Sequence, residues 1–221
     1  KGTFGTGAFI LTNSGNTPPK SRNRLLSTIA WQIGGQRTYA MEGSIFVAGS
    51  LIQWLRDSVG LIDAAAETEE LANAVPDNGG VYVVPALAGI GAPWWEPDAR
   101  GTISGLSFAT GRAHIVRAAL EAMAHQTQDL KSAFVSDKIS WSRLRIDGGM
   151  VTNNWMAQDL ADIVNLPVER PRFAETTALG AAMLAGLGCG WFDTLEDAAA
   201  MEVASVHSVA GLPIRSGGWR E

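Results

Sequence analysis

Short segments of this sequence carry residue types and spacings suited to holding a phosphorylated ligand. Gly5-Thr6-Gly7 sets a hydroxyl between two glycines where one β-rich run turns into another. Glycine lets the backbone approach an anion closely, so that N–H groups and the Thr6 hydroxyl reach phosphate oxygens; the same residues also make an ordinary glycine hairpin. Asp147-Gly148-Gly149-Met150-Val151-Thr152-Asn153-Asn154 lies at the carboxyl end of an expected strand, just before an expected helix. Ligands of open α/β sheets bind outside the carboxyl ends of strands, and paired glycines there offer bare backbone to a flat ring or a sugar. Asn153 is equally suited to cap the helix that follows, and the two roles are compatible. Gly49 falls within a helical pattern, where glycine costs about 1 kcal/mol relative to alanine. Close helix packing and ligand approach both explain it. Gln53, four residues on, shares its face and presents an amide.

The elements that must position these residues follow from periodicity. Residues 8–12, 25–32 and 37–44 are β-rich runs, separated by a polar loop over 13–24 and the turn Gly34-Gly35, and they read as an antiparallel meander. Ile45, Ala48, Gly49, Ile52 and Leu55 then recur at helical spacing, predicting a helix over 45–57; a second follows over 64–74. The continuous apolar run 81–85 predicts a short buried strand. Residues 86–108 read as a long irregular loop holding Pro93-Trp94-Trp95-Glu96-Pro97, and loops of that length are usually functional. Ile115, Ala119, Met123, Gln126, Leu130 and Phe134 form the stripe of a helix starting near Arg112. Strand 144–147, helix 154–165, strand 168–170 and a small-residue helix over 177–187 alternate thereafter, the pattern of a parallel half. Ala178, Ala182 and Ala185 give that last helix a face without bulk, which suits close approach of another element.

Composition narrows the classes. The 221 residues carry 17 Lys and Arg against 22 Asp and Glu, so there is no basic excess for a nucleic-acid backbone. The longest apolar stretch, 45–55, is broken by Gly49, Ser50 and Gln53 and falls short of the roughly 20 residues a membrane span needs. Cys189 is the single cysteine, and His114, His125 and His207 lack zinc-site spacing. This usage fits a reducing, cytoplasmic setting. The opening Lys1-Gly2-Thr3 has neither an initiator Met nor a signal peptide, and it reads as part of something longer.

Taken in order, Gly5-Thr6-Gly7-Ala8-Phe9, Tyr39-Ala40-Met41-Glu42-Gly43-Ser44, GSLIQWLR from Gly49, GIGAPWWEPDARG from Gly89, GTISGLSFATGRAHIVRAALE from Gly101, DGGMVTNN from Asp147 and ETTALGAA from Glu175 resemble the C-terminal domain of the glycerol kinases. These are carbohydrate kinases of the actin-like ATPase superfamily. The resemblance implies an α/β, ribonuclease-H-like domain: a mixed sheet with an antiparallel meander and flanking helices, forming 1–221 as the C-terminal half of a two-domain kinase. It implies ATP-dependent phosphorylation of glycerol to sn-glycerol 3-phosphate, with Mg²⁺, in a cytoplasmic homo-oligomer; the alternatives are a kinase of another polyol or sugar of the same family, or a non-catalytic nucleotide-binding module when the segment stands alone. By the same resemblance Thr6 contacts the transferred phosphate, Gly49 and Gln53 line the nucleotide site, Gly149 and Asn153 hold the adenosine part, and Phe9 packs against the glycerol skeleton. The family's catalytic base belongs to a Gly-Asp-Gln segment of the first domain, so no catalytic residue is expected in this chain. Asp147 is expected to hold a turn.

Overall fold

The computed structural model describes residues 1–171 and 175–205; His207 and the rest of the tail lie outside it. Its main sheet has six strands: β1 (Gly2–Phe4), β2 (Ala8–Gly15), β3 (Leu26–Ile33), β4 (Gln36–Ile45), β7 (Leu144–Asp147) and β8 (Val168–Glu169), in the order β3-β4-β2-β1-β7-β8. β1 to β4 pair antiparallel, and β7 joins β1 and β8 in parallel. The sheet is mixed, as the sequence implies. β4 lies between β2 and β3 because Gly34 and Gly35, both at positive φ, close a tight β3–β4 hairpin, while the longer 16–25 connection passes over it.

One face of the sheet is covered by α3 (Arg112–Ser136) and α4 (Asn154–Val164). Phe4, Ile10, Met41, Ile45, Leu120, Met123, Leu130, Phe134, Leu144 and Leu160 fill the layer between them. Gly43 admits α3 closely: a Cβ there would stand 2.7 Å from the Leu130 side chain. Strand alternation sends the other residues outward, so Ala8 and Ile10 are buried while Phe9 between them is 47% exposed. α5 (Thr176–Gly188) leaves Ala178, Ala182 and Ala185 exposed. α6 (Leu195–Ser205) follows it.

Several expectations are corrected. The helix expected over 45–57 begins only at Gly49, because Ile45 still pairs with Ala8 in β4; α1 (Gly49–Trp54) then widens into a π-helical turn over Leu55–Val59. α2 spans Glu67–Asn73 rather than 64–74, with Glu67 Oε1 accepting from the Asp63 and Ala64 amides ahead of it. The run 81–85 is not a buried strand. β5 (Tyr82–Val84) pairs with β6 (Thr102–Ser104), a strand inside the expected loop, as a separate two-stranded ribbon that leaves Tyr82 48% exposed. Its apolar run has one inward face, occupied by Val83, rather than two.

The 86–101 segment is tied down along its length. The Ala92 amide donates to Ser44 O, Trp95 Nε1 to Arg24 O and Trp94 Nε1 to Asp129 Oδ2, and Trp95 meets Phe46 edge to face at 5.8 Å. At the far side, Glu121 is buried between Arg117 Nε and Asn78 Nδ2, while the Arg117 guanidinium lies over Trp155 and donates to Val75 O. A buried carboxylate needs such partners.

Candidate functional site

The hairpin Gly5-Thr6-Gly7 joins β1 to β2 at the sheet end where β4 runs into α1. Thr6 O accepts from the Ala48 amide (2.9 Å), the Ser50 amide (3.0 Å) and Ser50 Oγ (2.9 Å), and the Gly49 amide donates to Gly5 O at 2.8 Å. These bonds fix the hairpin backbone and leave the Thr6 side chain at the exposed rim. The packing requires glycine: a Cβ on Gly7 would stand 2.5 Å from Ile45 O, and one on Gly49 would stand 2.5 Å from Gly5 O and 3.2 Å from Met150 Cγ. Gly49 therefore begins its helix, and backbone contact explains it better than a tolerated mid-helix cost.

The second wall is the turn after β7. Gly148 has φ +94°, and a Cβ there would lie 2.5 Å from Phe4 O, so β7 and β1 end in backbone contact. Gly149 opens a single 3-10 turn (Gly149–Thr152), and a Cβ on it would meet nothing within 4 Å. It borders open space beside the hairpin. Asn153 is only 9% exposed and caps α4, its Oδ1 accepting from the Met156 amide at 2.8 Å. Gln53 is exposed one turn beyond Gly49 on α1. Gly49 thus packs between the Gly5-Thr6-Gly7 hairpin and Met150 of the second turn, with Thr6 and Gly149 exposed on either side. Phe9 lies on β2 just past the hairpin, on the outer sheet face between its Thr3 and Ser44 partners.

Asp147 does not hold a turn. It is 2% exposed, and its Oδ2 receives Lys1 Nζ at 2.9 Å and the Thr176 hydroxyl, joining β7 to the start of α5; Oδ1 has no protein partner among the described residues. Lys1 Nζ also donates to Thr3 Oγ1 and Thr177 Oγ1, so this ammonium spends all three protons on the cluster. Beside it, burial pushes the Glu169 carboxyl up, but hydrogen bonds and charge from Arg145 and Arg143 outweigh this and hold it below the usual carboxylate range. Among the described residues no group of three or more His, Cys, Asp or Glu side chains could hold a metal ion.

Spacing did not reveal Ser50, Thr68 or Glu69. Thr68 Oγ1 accepts from Asn153 Nδ2 at 3.0 Å, and Glu69 receives the Asn154 amide at 2.9 Å and its Nδ2 at 3.0 Å. The available signal was one hydroxyl residue in the otherwise acidic run Glu67-Thr68-Glu69-Glu70.

Residues 1–189 match the model of the C-terminal domain of the FGGY family of carbohydrate kinases. The glycerol kinase of Rhodospirillum centenum is 58% identical over 192 residues, covering 87% of this chain and 39% of the relative. That of Coxiella burnetii is 50% identical over 209 residues, covering 95% and 42%. Among solved structures, Plasmodium falciparum glycerol kinase with ADP superposes with a TM-score of 0.82 at 38% identity, covering 94% of this chain and 42% of that one. A xylulose kinase from Lactobacillus acidophilus shares the fold, with a TM-score of 0.76 at 20% identity over 94% of this chain and 41% of that one. The chain spans about 40% of the length of the curated relatives it matches. With the glycine hairpin, the mixed ribonuclease-H-like sheet and these relatives in agreement, the chain belongs to the FGGY family of carbohydrate kinases.

Proposed function

We propose that residues 1–221 form the C-terminal, nucleotide-binding half of a cytoplasmic kinase that transfers the γ-phosphoryl group of ATP to glycerol, giving sn-glycerol 3-phosphate. The observation that carries this reading is the backbone convergence of Gly5-Thr6-Gly7, Gly49 and Gly148-Gly149 at one end of the sheet. In it, Thr6 meets the transferred phosphate and Gln53 and Gly49 line the nucleotide. Gly149 leaves room for the nucleoside, Asn153 donates to it, and Phe9 covers the carbon skeleton of glycerol. Similarity to glycerol kinases, one of them solved with ADP, supports both the nucleotide and the polyol.

Phosphoryl transfer needs positioning, charge stabilisation and a base for the hydroxyl proton. This chain supplies donors and shape. The resemblance to glycerol kinases implies that the base comes from an N-terminal domain, and Asp147, buried and engaged by Lys1 and Thr176, is not given that role. Mg²⁺, bound through the nucleotide phosphates and water, would offset phosphate charge; among the described residues no carboxylate or imidazole cluster is built to hold it. The full-length enzyme is a homo-oligomer in this reading.

A coupled assay of the 221-residue chain with ATP and glycerol, beside calorimetry with Mg·ADP, tests the division of labour. Binding without turnover is expected; turnover by this chain alone overturns the assignment of the base. For the substrate, the full-length protein is compared on glycerol, xylulose, gluconate and erythritol, and preference for any but glycerol overturns that part.

A further inference from the structure

We propose that Thr68 of α2 is a positioning residue for the nucleotide, setting the side chain of Asn153 as a hydrogen-bond donor toward an acceptor atom of the nucleoside. The inference rests on the reading of the Gly149–Asn153 turn as the nucleoside site. An asparagine amide has a donor end and an acceptor end, and its neighbours decide which way it points. Here two independent neighbours agree. The Met156 amide can only donate, so Oδ1 faces it at 2.8 Å. The Thr68 hydroxyl gives its own proton to Ala65 O at 2.6 Å, so toward Asn153 it can only accept, and Nδ2 faces it at 3.0 Å.

Thr68 is 1% exposed, so neither bond is in competition with water. One Nδ2 hydrogen is spent on Thr68, and the second has no protein acceptor among the described residues. With the amide locked, that hydrogen is a donor of fixed direction on the residue that closes the turn opened by Gly149. It calls for an acceptor on the ligand, a ring nitrogen or a sugar oxygen, and rejects a donor there. Glu69 adds a second strut from the same helix by holding the amide and side chain of Asn154, whose Oδ1 in turn receives Arg170. α2 thus steadies both residues at the start of α4 across 85 positions of sequence.

The test is calorimetric titration of the 221-residue chain and of T68V, T68S and E69Q with Mg·ADP and, separately, with Mg·pyrophosphate, with Tm measured alongside. Valine keeps the shape of threonine and removes the acceptor, so the Asn153 amide is no longer held in one direction and T68V is expected to bind ADP about tenfold more weakly, the effect of losing one hydrogen bond to the ligand. Serine restores the acceptor, so T68S is expected near wild type. Pyrophosphate reaches the hairpin but not Asn153, so its affinity is expected to be unchanged in all variants; a purely structural role for Thr68 lowers Tm and both affinities together. E69Q, at a half-buried position, keeps the test open should T68V fail to fold, and a selective loss of ADP affinity is expected there too. Wild-type binding of ADP with an undiminished T68V, or parallel loss of both ligands, overturns the positioning role alone. Failure of the wild-type chain to bind ADP overturns the nucleoside site and the positioning role together.

Discussion

At the Gly5-Thr6-Gly7 end of the site backbone packs on backbone, whereas at the Asn153 end side chains hold one another by hydrogen bonds. The hairpin, the start of α1 and the end of β7 come so close that a single methyl group on Gly7, Gly49 or Gly148 would lie 2.5 Å from a carbonyl oxygen. Carbonyls of paired strands have nowhere to retreat, so this end tolerates no graded change. Asn153, Thr68, Asn154 and Glu69 form a chain of polar contacts that can be weakened one bond at a time. Under the proposed function the difference suits the two ligand parts: a phosphate would be met by fixed N–H groups at close range, a nucleoside by aimed donors and a surface left open.

Substitutions at the two ends should therefore differ in kind. Gly49→Ala forces the Gly5 carbonyl or α1 to move; a loss of about 2–3 kcal/mol in urea unfolding is expected, with ADP affinity reduced more than tenfold in calorimetry. A silent Gly49→Ala breaks the comparison outright. Asn153→Ala removes the cap of α4, worth about 1 kcal/mol, and is expected to weaken ADP while sparing pyrophosphate. Gly149→Ala sharpens the contrast: with open space around that Cβ, stability is expected within about 0.5 kcal/mol of wild type while ADP affinity falls.

A control lies outside both ends. Burial raises the Asp137 carboxyl, but hydrogen bonds from the Ser21 hydroxyl, the Arg22 amide and the Asn23 side chain outweigh it and hold its pKa below the ordinary value. A depressed carboxylate stabilises fully above its unfolded pKa of about 3.9 and ceases to do so as pH falls through the lower folded value. Asp137→Asn is expected to flatten the acid limb of Tm against pH below about pH 4, leaving nucleotide affinity at neutral pH untouched. Phe9→Ala makes the smallest change in stability, about 0.5 kcal/mol or less, because its ring is already half exposed. Under the proposed function its consequence is expected in the KM for glycerol.

The backbone-built end was largely legible in the sequence, because close approach leaves glycines at fixed places: Gly7, Gly49 and Gly148. Even there, Gly49 was read into the middle of a helix, since the apolar spacing of Ile45 and Ala48 continues the helical period although Ile45 belongs to β4. The side-chain end was half legible. Asn153 announced itself as a cap, which is a local signal; its tie to Thr68 is a tertiary contact that no local period encodes. Long, strongly periodic α3 was read almost to its ends, whereas β1 and β6, at three residues each, are too short to show alternation. The 81–85 run misled because apolar residues in a ribbon resemble those of a doubly covered strand until a partner is known.

β1 has a consequence for how the chain acquires this site. It is an interior strand of three residues, paired on one side with β2 nearby and on the other with β7, Gly2 opposite Ile146. Contacts between such distant positions are slow to form, since a large loop must close before they stabilise anything. During synthesis β1, β2 and the β3–β4 hairpin emerge long before β7, leaving an unpaired strand edge beside the Gly5-Thr6-Gly7 hairpin until more than half of these residues have been made. The site is therefore completed late, and the interval before β7 docks is when the nascent chain is most open to wrong pairing.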